Sequence, residues 1–342
     1  FSASSCLVFP AQRNAQGRLD LYVNSMVREV SVDKNSKHNG IIYINKEDNK
    51  EYRINAKVVV LAASACESAR ILLNSKSTYH ENGLGNSSNM VGKYLHDSTG
   101  ADRMAFIPDL MNRKTYNEDG MGNMHLYSPW WLDNKKLDFP RGYHIEIAGG
   151  LGAPMYGFGF DFNSLNKFFG VEVGGYGDRV REEVKKYYGS TIYFAGRGES
   201  VPDIDNYCEI DPDTKDKYGI PVLRFNYKWS DYERKQAKHM NETFEQIVHN
   251  IGGHMLWDNE GPNYGLKNPG EIIHEVGTTR MCSDPKTSVV NEFEQLHDAK
   301  NVFVVDGGPF VSQADKNPTW TILALSWRTS EYIVEELKKQ NI

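Results

Sequence analysis

At 342 residues and 38.9 kDa the chain is long enough for one large core or two domains, and 39% hydrophobic with 25% charged residues is the make-up of an ordinary folded protein. A formal charge of −6 with a pI near 6.0 lacks the basic footprint of a nucleic-acid binder, and no apolar run of about eighteen residues is present to span a membrane as a helix. The four cysteines, Cys6, Cys66, Cys208 and Cys282, are far apart and form no C-x-x-C pair, which argues against a disulfide framework or zinc site and makes buried free thiols the expectation.

Residues 19–62 carry the alternation of strands. Leu19 to Val23 and Met26 to Val32 alternate, Gly40 to Ile44 follows a Lys/Asn turn, and a polar hairpin comes next at Asp48 and Asn49. The run Lys57 to Ala62 (KVVVLA) is short, β-branched and continuous, as suits a parallel strand buried on both faces. Small residues follow it, then a helix over Glu67 to Ser75 with Ala69, Leu72 and Leu73 on one side. Small residues at such a turn let a ligand approach the backbone and aim helix N–H groups at an anion. Ala62, Ala63 and Ser64 are therefore candidate cofactor contacts, with simple packing as the competing explanation.

From about 99 to 270 the texture changes. Tyr143 to Ile147, Ser190 to Phe194 and Val222 to Tyr227 read as aromatic-rich strands between glycine-rich loops at 149–160 and 170–178. An amphipathic helix is predicted over Asp231 to Ile251, capped at Ser230 and stopped by Gly252 and Gly253. This reads as an antiparallel sheet with a binding face. From residue 271 onward the α/β texture returns, with a buried strand over Val302 to Asp306 and an amphipathic helix over Thr319 to Lys338. The expected class is α/β, α+β overall. Residues 1–98 and 271–342 would form one discontinuous domain, and 99–270 a second.

Three late segments carry chemistry: His274 to Met281 (HEVGTTRM), Asn301 to Gly308 (NVFVVDGG) and Asn317 to Leu325 (NPTWTILAL). Oxidising an alcohol takes a hydroxyl proton and a hydride from one carbon. A base titrating near neutrality must reach the hydroxyl, and histidine suits the task. A second polar group must hold the same oxygen so that the C–H bond faces the acceptor. His274 and Asn317 are the candidates, although a lone histidine is more often an ordinary turn residue and Asn317 is also a good helix N-cap.

These three segments, in this order, resemble the C-terminal signature of the glucose–methanol–choline (GMC) oxidoreductases. The strand, small residues and Glu67 to Leu73 (ESARILL), and Val91 to Asp97 (VGKYLHD), resemble further segments of that family. The family often has glycine where Ser64 stands and proline where Ala69 stands. The resemblance implies FAD as cofactor, with His274 as base, Asn317 orienting the substrate oxygen and the flavin N5 accepting the hydride. Asp306 and Gly307 would contact the ribityl or pyrophosphate region, and the helix starting at Pro318 and Thr319 would aim its positive end at the flavin. His96, His125 and His144 are weaker candidates for lining a substrate site.

The stretch Asp203 to Phe225 is similar to bacterial sugar dehydrogenases of the gluconate, fructose and glucoside-3-dehydrogenase types. That likeness implies a sugar or glycoside substrate and a haem protein or quinone as electron acceptor; it leaves the compartment, periplasmic or cytoplasmic, open. An oxygen-using oxidase and a flavin-free carbohydrate-binding remnant are the alternatives. No G-x-G-x-x-G lies between a strand and a helix here. The ADP-binding part is therefore expected on a separate N-terminal portion or another chain, with a small subunit as a further partner.

Overall fold

A computed structural model describes residues 2–32, 38–112, 125–129, 136–149, 162–257 and 261–342. Helix α1 (Phe9–Asn14) follows a π turn and buries no residue. Strands β1 (Ser25–Val32), β2 (His38–Asn45) and β3 (Glu51–Asn55) form an antiparallel meander in the order β1-β2-β3. The alternation at Leu19 to Val23 forms no strand; Leu21, Tyr22 and Val23 are exposed there, because pattern alone supplies no pairing partner. Strand β4 (Val59–Leu61) leads through Ala62 to Ser64 into helix α2 (Ala65–Asn74), which buries Ala69, Leu72 and Leu73 as its spacing predicts.

Strands β5 (Thr99–Phe106), β6 (His125–Pro129) and β7 (Tyr143–Gly149) precede two helices, α3 (Phe162–Phe169) and α4 (Asp178–Tyr187). The expected loop at 149–160 falls almost wholly outside the described residues, and α3 and α4 flank the one at 170–178. Strand β8 (Thr191–Gly198) joins the main sheet, while β9 (Tyr207–Lys215) and β10 (Pro221–Asn226) form a separate hairpin. Helix α5 (Asp231–Asn250) starts at Ser230 with a full capping box and ends before Gly252. Strand β11 (His254–Met255) completes a five-stranded antiparallel sheet in the order β11-β5-β8-β7-β6.

Strand β12 (Val302–Val304) then pairs parallel with β4, Val302 opposite Val59 and Val304 opposite Leu61, and helix α6 (Thr319–Lys338) ends the chain. Two segments more than two hundred residues apart thus meet in one parallel pair. One core lies around it, with Val59, Leu61, Leu72, Val289, Val302 and Val304 buried together. A second lies between α5 and the main sheet, where Phe244 packs on Phe194 at 5.5 Å. Among the described residues no helix is long and apolar enough to cross a membrane. All four cysteines are free: Cys208 is buried, Cys66 and Cys282 are partly so, and Cys6 is exposed, contrary to the expectation of four buried thiols.

Candidate active site

The turn bearing His274 is fastened to the strand that enters the main sheet. His96 and Val276 exchange two main-chain hydrogen bonds of 3.0 and 2.9 Å. Gly277 (φ +93°) follows, packed so closely on the Tyr94 carbonyl that any Cβ would overlap it, so only glycine lets the two segments touch. Next to His96 in the chain, the buried Asp97 carboxylate accepts from His274 N at 3.0 Å, Ser98 N at 2.8 Å and Gly270 N at 3.1 Å.

The half-buried His274 ring meets Ser98 Oγ at 3.2 Å through Nδ1, and Gln313 Nε2 donates to that same hydroxyl at 2.8 Å. Its Nε2 has no protein partner among the described residues. Burial, helped by the Arg197 guanidinium and by His144, depresses the imidazole pKa, while Glu146 opposes the shift. His274 therefore favours its neutral form, which a proton acceptor requires.

The sheet face opposite this turn is charged. His144 on β7 is fully buried, with Nε2 3.0 Å from Glu146 and Nδ1 3.4 Å from Asp315, and its ring stacks on Tyr127 at 5.3 Å. Burial lowers its pKa, but the two carboxylates outweigh this and leave it raised. Arg197 on β8 pairs with Asp102 on β5 at 2.7 Å, and Lys267 reaches the other oxygen of that carboxylate at 3.0 Å. An imidazole of depressed pKa thus stands beside a histidine of raised pKa and a paired arginine.

The segment 313–317 runs past both histidines, since Gln313 bonds Ser98 and Asp315 contacts His144. Asn317, exposed and two residues beyond Asp315, lies within about 7 Å of it along the backbone. It does not cap α6. Pro318 occupies that position, in helical geometry and with no side-chain cap, so the N-terminal N–H groups of α6 are left open.

At the carboxyl ends of β4 and β12 stand the small, exposed Ala62, Ala63 and Ser64. Ser64 adopts φ +83°, ψ +159°, a conformation natural to glycine, and accepts weakly from Glu67 N at 3.5 Å. Asp306 is turned inward: it accepts from Ser68 Oγ at 2.5 Å and Gly308 N at 2.8 Å. Its carboxylate ties β12 to α2, so a ligand here would meet the adjoining main chain and not that side chain. Ser64 also borders a cavity of about 500 Å³ walled by Cys66, Asp97, Tyr227, Gly270 and Glu275.

His96 is fully enclosed. Its Nδ1 lies 2.7 Å from the Tyr94 carbonyl and its Nε2 has no hydrogen-bond partner; burial holds its pKa at about 4. It is a packing residue of the junction and does not line the site. His125 stands opposite Ala148 in the sheet, and its side chain lies outside the described residues. Among the described residues no group of His, Cys, Asp and Glu is arranged to hold a metal. Asp97, Ser98, Gln313, Glu146, Asp102, Arg197 and Asp315 join the site without having been singled out in the sequence. The one signal was that Asp97 and Ser98 adjoin the VGKYLHD segment.

Comparison with known proteins now adds the class. Residues 202–326 match the family model described as GMC oxidoreductase. A 2-methyl-1,2-propanediol dehydrogenase of Mycolicibacterium austroafricanum is 31% identical over 315 residues, covering 92% of this chain and 54% of that protein. The fructose dehydrogenase large subunit of Gluconobacter japonicus is 25% identical over 316 residues, again 92% and 54%. The solved structure of pyridoxine 4-oxidase from Mesorbium loti superposes with a TM-score of 0.64 at 15% identity, covering 97% of this chain and 61% of that one, which speaks for the fold. The chain carries the C-terminal domain of the GMC oxidoreductases, a family of FAD-dependent enzymes acting on CH–OH groups. It spans about half the length of the curated relatives it matches.

Proposed function

We propose that this chain is the substrate-oxidising part of an FAD-dependent dehydrogenase that converts a sugar or glycoside hydroxyl to a carbonyl. The observation that carries the reading is His274: an imidazole of depressed pKa anchored at Nδ1, with Nε2 free of partners among the described residues, beside the charged face of the main sheet. His274 Nε2 takes the hydroxyl proton. For this the Nδ1 proton must point at Ser98, and the imidazolium that forms lies near Glu146, which stabilises it. Asn317 holds the substrate oxygen, and Arg197 donates hydrogen bonds to neighbouring hydroxyls, while His144, buried between Glu146 and Asp315, fixes the charge behind it. FAD, when bound, accepts the hydride from the carbinol carbon.

Ala62, Ala63 and Ser64, the main chain around Gly307, and the open start of α6 at Pro318 and Thr319 would form its wall. Small exposed residues at the carboxyl ends of a parallel strand pair fit that use. We assign 1–98 and 271–342 to the cofactor side and 99–270 to the substrate side. The apolar, exposed face of α6 supports a further α/β segment, in the same polypeptide or a partner, that covers it and supplies the dinucleotide glycines. A haem protein or quinone is the proposed acceptor, in line with a relative named as the large subunit of a dehydrogenase. An oxidase is the second reading, since relatives named as oxidases also match. The test is the visible spectrum of the full-length protein before and after anaerobic addition of sugars and glycosides. Bleaching of flavin bands supports the reading, peroxide formation in air selects the oxidase, and absence of flavin rejects both.

A further inference from the structure

We propose that Asp97 is a positioning residue for His274: its carboxylate gathers three main-chain N–H groups and so holds the 270–274 turn in the strained form that presents the imidazole. This rests on the reading of His274 as the base. Two observations meet here. The first is the clamp, in which one oxygen of a 1%-exposed carboxylate accepts from both Ser98 and His274 and the other accepts from Gly270. Asp97 is itself located by its own N–H, which donates to Tyr227 Oη at 2.9 Å. The second is Ile273, which adopts φ +60° although it is β-branched and 77% exposed. β-branched residues avoid that region, and such a conformation persists only where its surroundings over-determine it. No apolar burial holds Ile273 in place, so the hydrogen bonds to its neighbours do. Charge-assisted bonds from three donors are strong enough for the task.

The arrangement links position to protonation. Burial raises the Asp97 carboxyl to about 6, the three N–H donors oppose the shift, and Glu275 adds to it. Facing groups are His274 and Glu275 on the turn, Tyr227 beyond β10, and Glu67 and Cys66 across the adjoining cavity. As pH falls through about 6 the carboxylate takes up a proton and the clamp weakens. Because the folded-state pKa is raised, this proton favours the folded state, so the turn loosens without loss of global stability from this group.

The test is hydrogen exchange by mass spectrometry on the full-length protein, reading the peptides that contain Gly270 to His274. Asp97→Asn is expected to speed exchange of this turn about tenfold, on the scale of one charge-assisted hydrogen bond. Helix α5 and the main sheet should keep their protection. Ile273→Asn, whose side chain tolerates positive φ, should restore protection in the Asp97→Asn background, and wild-type protection of the turn should fall below pH 6. Unchanged exchange in Asp97→Asn overturns the proposal. So does loss spread over the whole protein without rescue, which marks a merely structural residue. Exchange needs no substrate, so a His274→Gln enzyme that still reduces its flavin would reject the base while leaving the clamp to be judged separately.

Discussion

Helices α5 and α6 are both twenty residues long, yet they live in different surroundings. Helix α5 is the more polar, with five lysine, arginine or histidine side chains and four acidic ones between Asp231 and Asn250. It nevertheless buries eight residues, Ala237, Met240, Phe244 and Val248 among them. Helix α6 is the more apolar and buries only Thr329, leaving Trp320 at 86% and Trp327 at 72% exposure. Its attachments are few: Phe293 stacks on Tyr332 at 4.1 Å, Thr329 Oγ1 donates to Glu294 at 2.7 Å, and Arg328 bonds the Glu292 carbonyl. Apolar content is therefore no measure of burial within a chain. Tertiary packing stabilises helices, and α5 is packed against the main sheet while α6 stays largely exposed.

The largest expected effect is on chemistry beside the completed core: His274→Gln in the full-length flavoprotein should slow anaerobic flavin reduction by about 10²-fold or more, read by stopped-flow absorbance. An unchanged rate would remove His274 from its role. Next in size is Phe244→Ala, which should destabilise the chain by about 3–5 kcal/mol in denaturant titration. Trp327→Ala on α6 should change the stability of this chain by less than about 0.5 kcal/mol. Equal losses from the two would mean that α6 is better packed than its exposure states. Asn317→Ala should cost about tenfold in the rate of flavin reduction, as the loss of one orienting contact; no change would remove its role.

A smaller effect concerns the attachment of α6. Burial lifts the Glu294 carboxyl to about 7, against the hydrogen bond from Thr329 and the nearby Arg328. A raised folded-state pKa means that the neutral form favours folding, so this contribution is whole below about 4.5 and is lost as pH rises through about 7. Glu294→Gln should flatten the fall in unfolding free energy between pH 5 and 8, by about 1–3 kcal/mol at the alkaline end of a series of denaturant titrations. Parallel curves for variant and wild type would place the pH dependence elsewhere.

Much of the fold was legible in the sequence. The capping residues at Ser230 and the Gly252–Gly253 stop bounded α5 within a residue, because a cap is a local bond between near neighbours. The continuous run at 57–62 and the run at 302–306 announced strands, and β4 and β12 pair in parallel accordingly; β12 is buried throughout, but Val60 is exposed, so β4 is covered on one face and not on both. Leu19 to Val23 failed for the complementary reason: alternation predicts a strand only where another strand is free to pair. His144 was one weak candidate among several histidines, and its carboxylate partners Glu146 and Asp315 lie on separate parts of the chain. His96 looked like a site residue from its neighbours in sequence, yet it is sealed beneath the His274 turn.

By itself, then, the sequence determined most of the strands, the cap of α5, the ordered C-terminal motifs and the candidate pair His274 and Asn317. These depend on side-chain type and short spacing. Only the tertiary structure decided that Asp97 grips the His274 turn, that Asp306 faces inward, that Arg197 and His144 stand near the imidazole, and that α6 lies bare. Those facts depend on which distant segments meet, and on how burial and neighbouring charge act once they do.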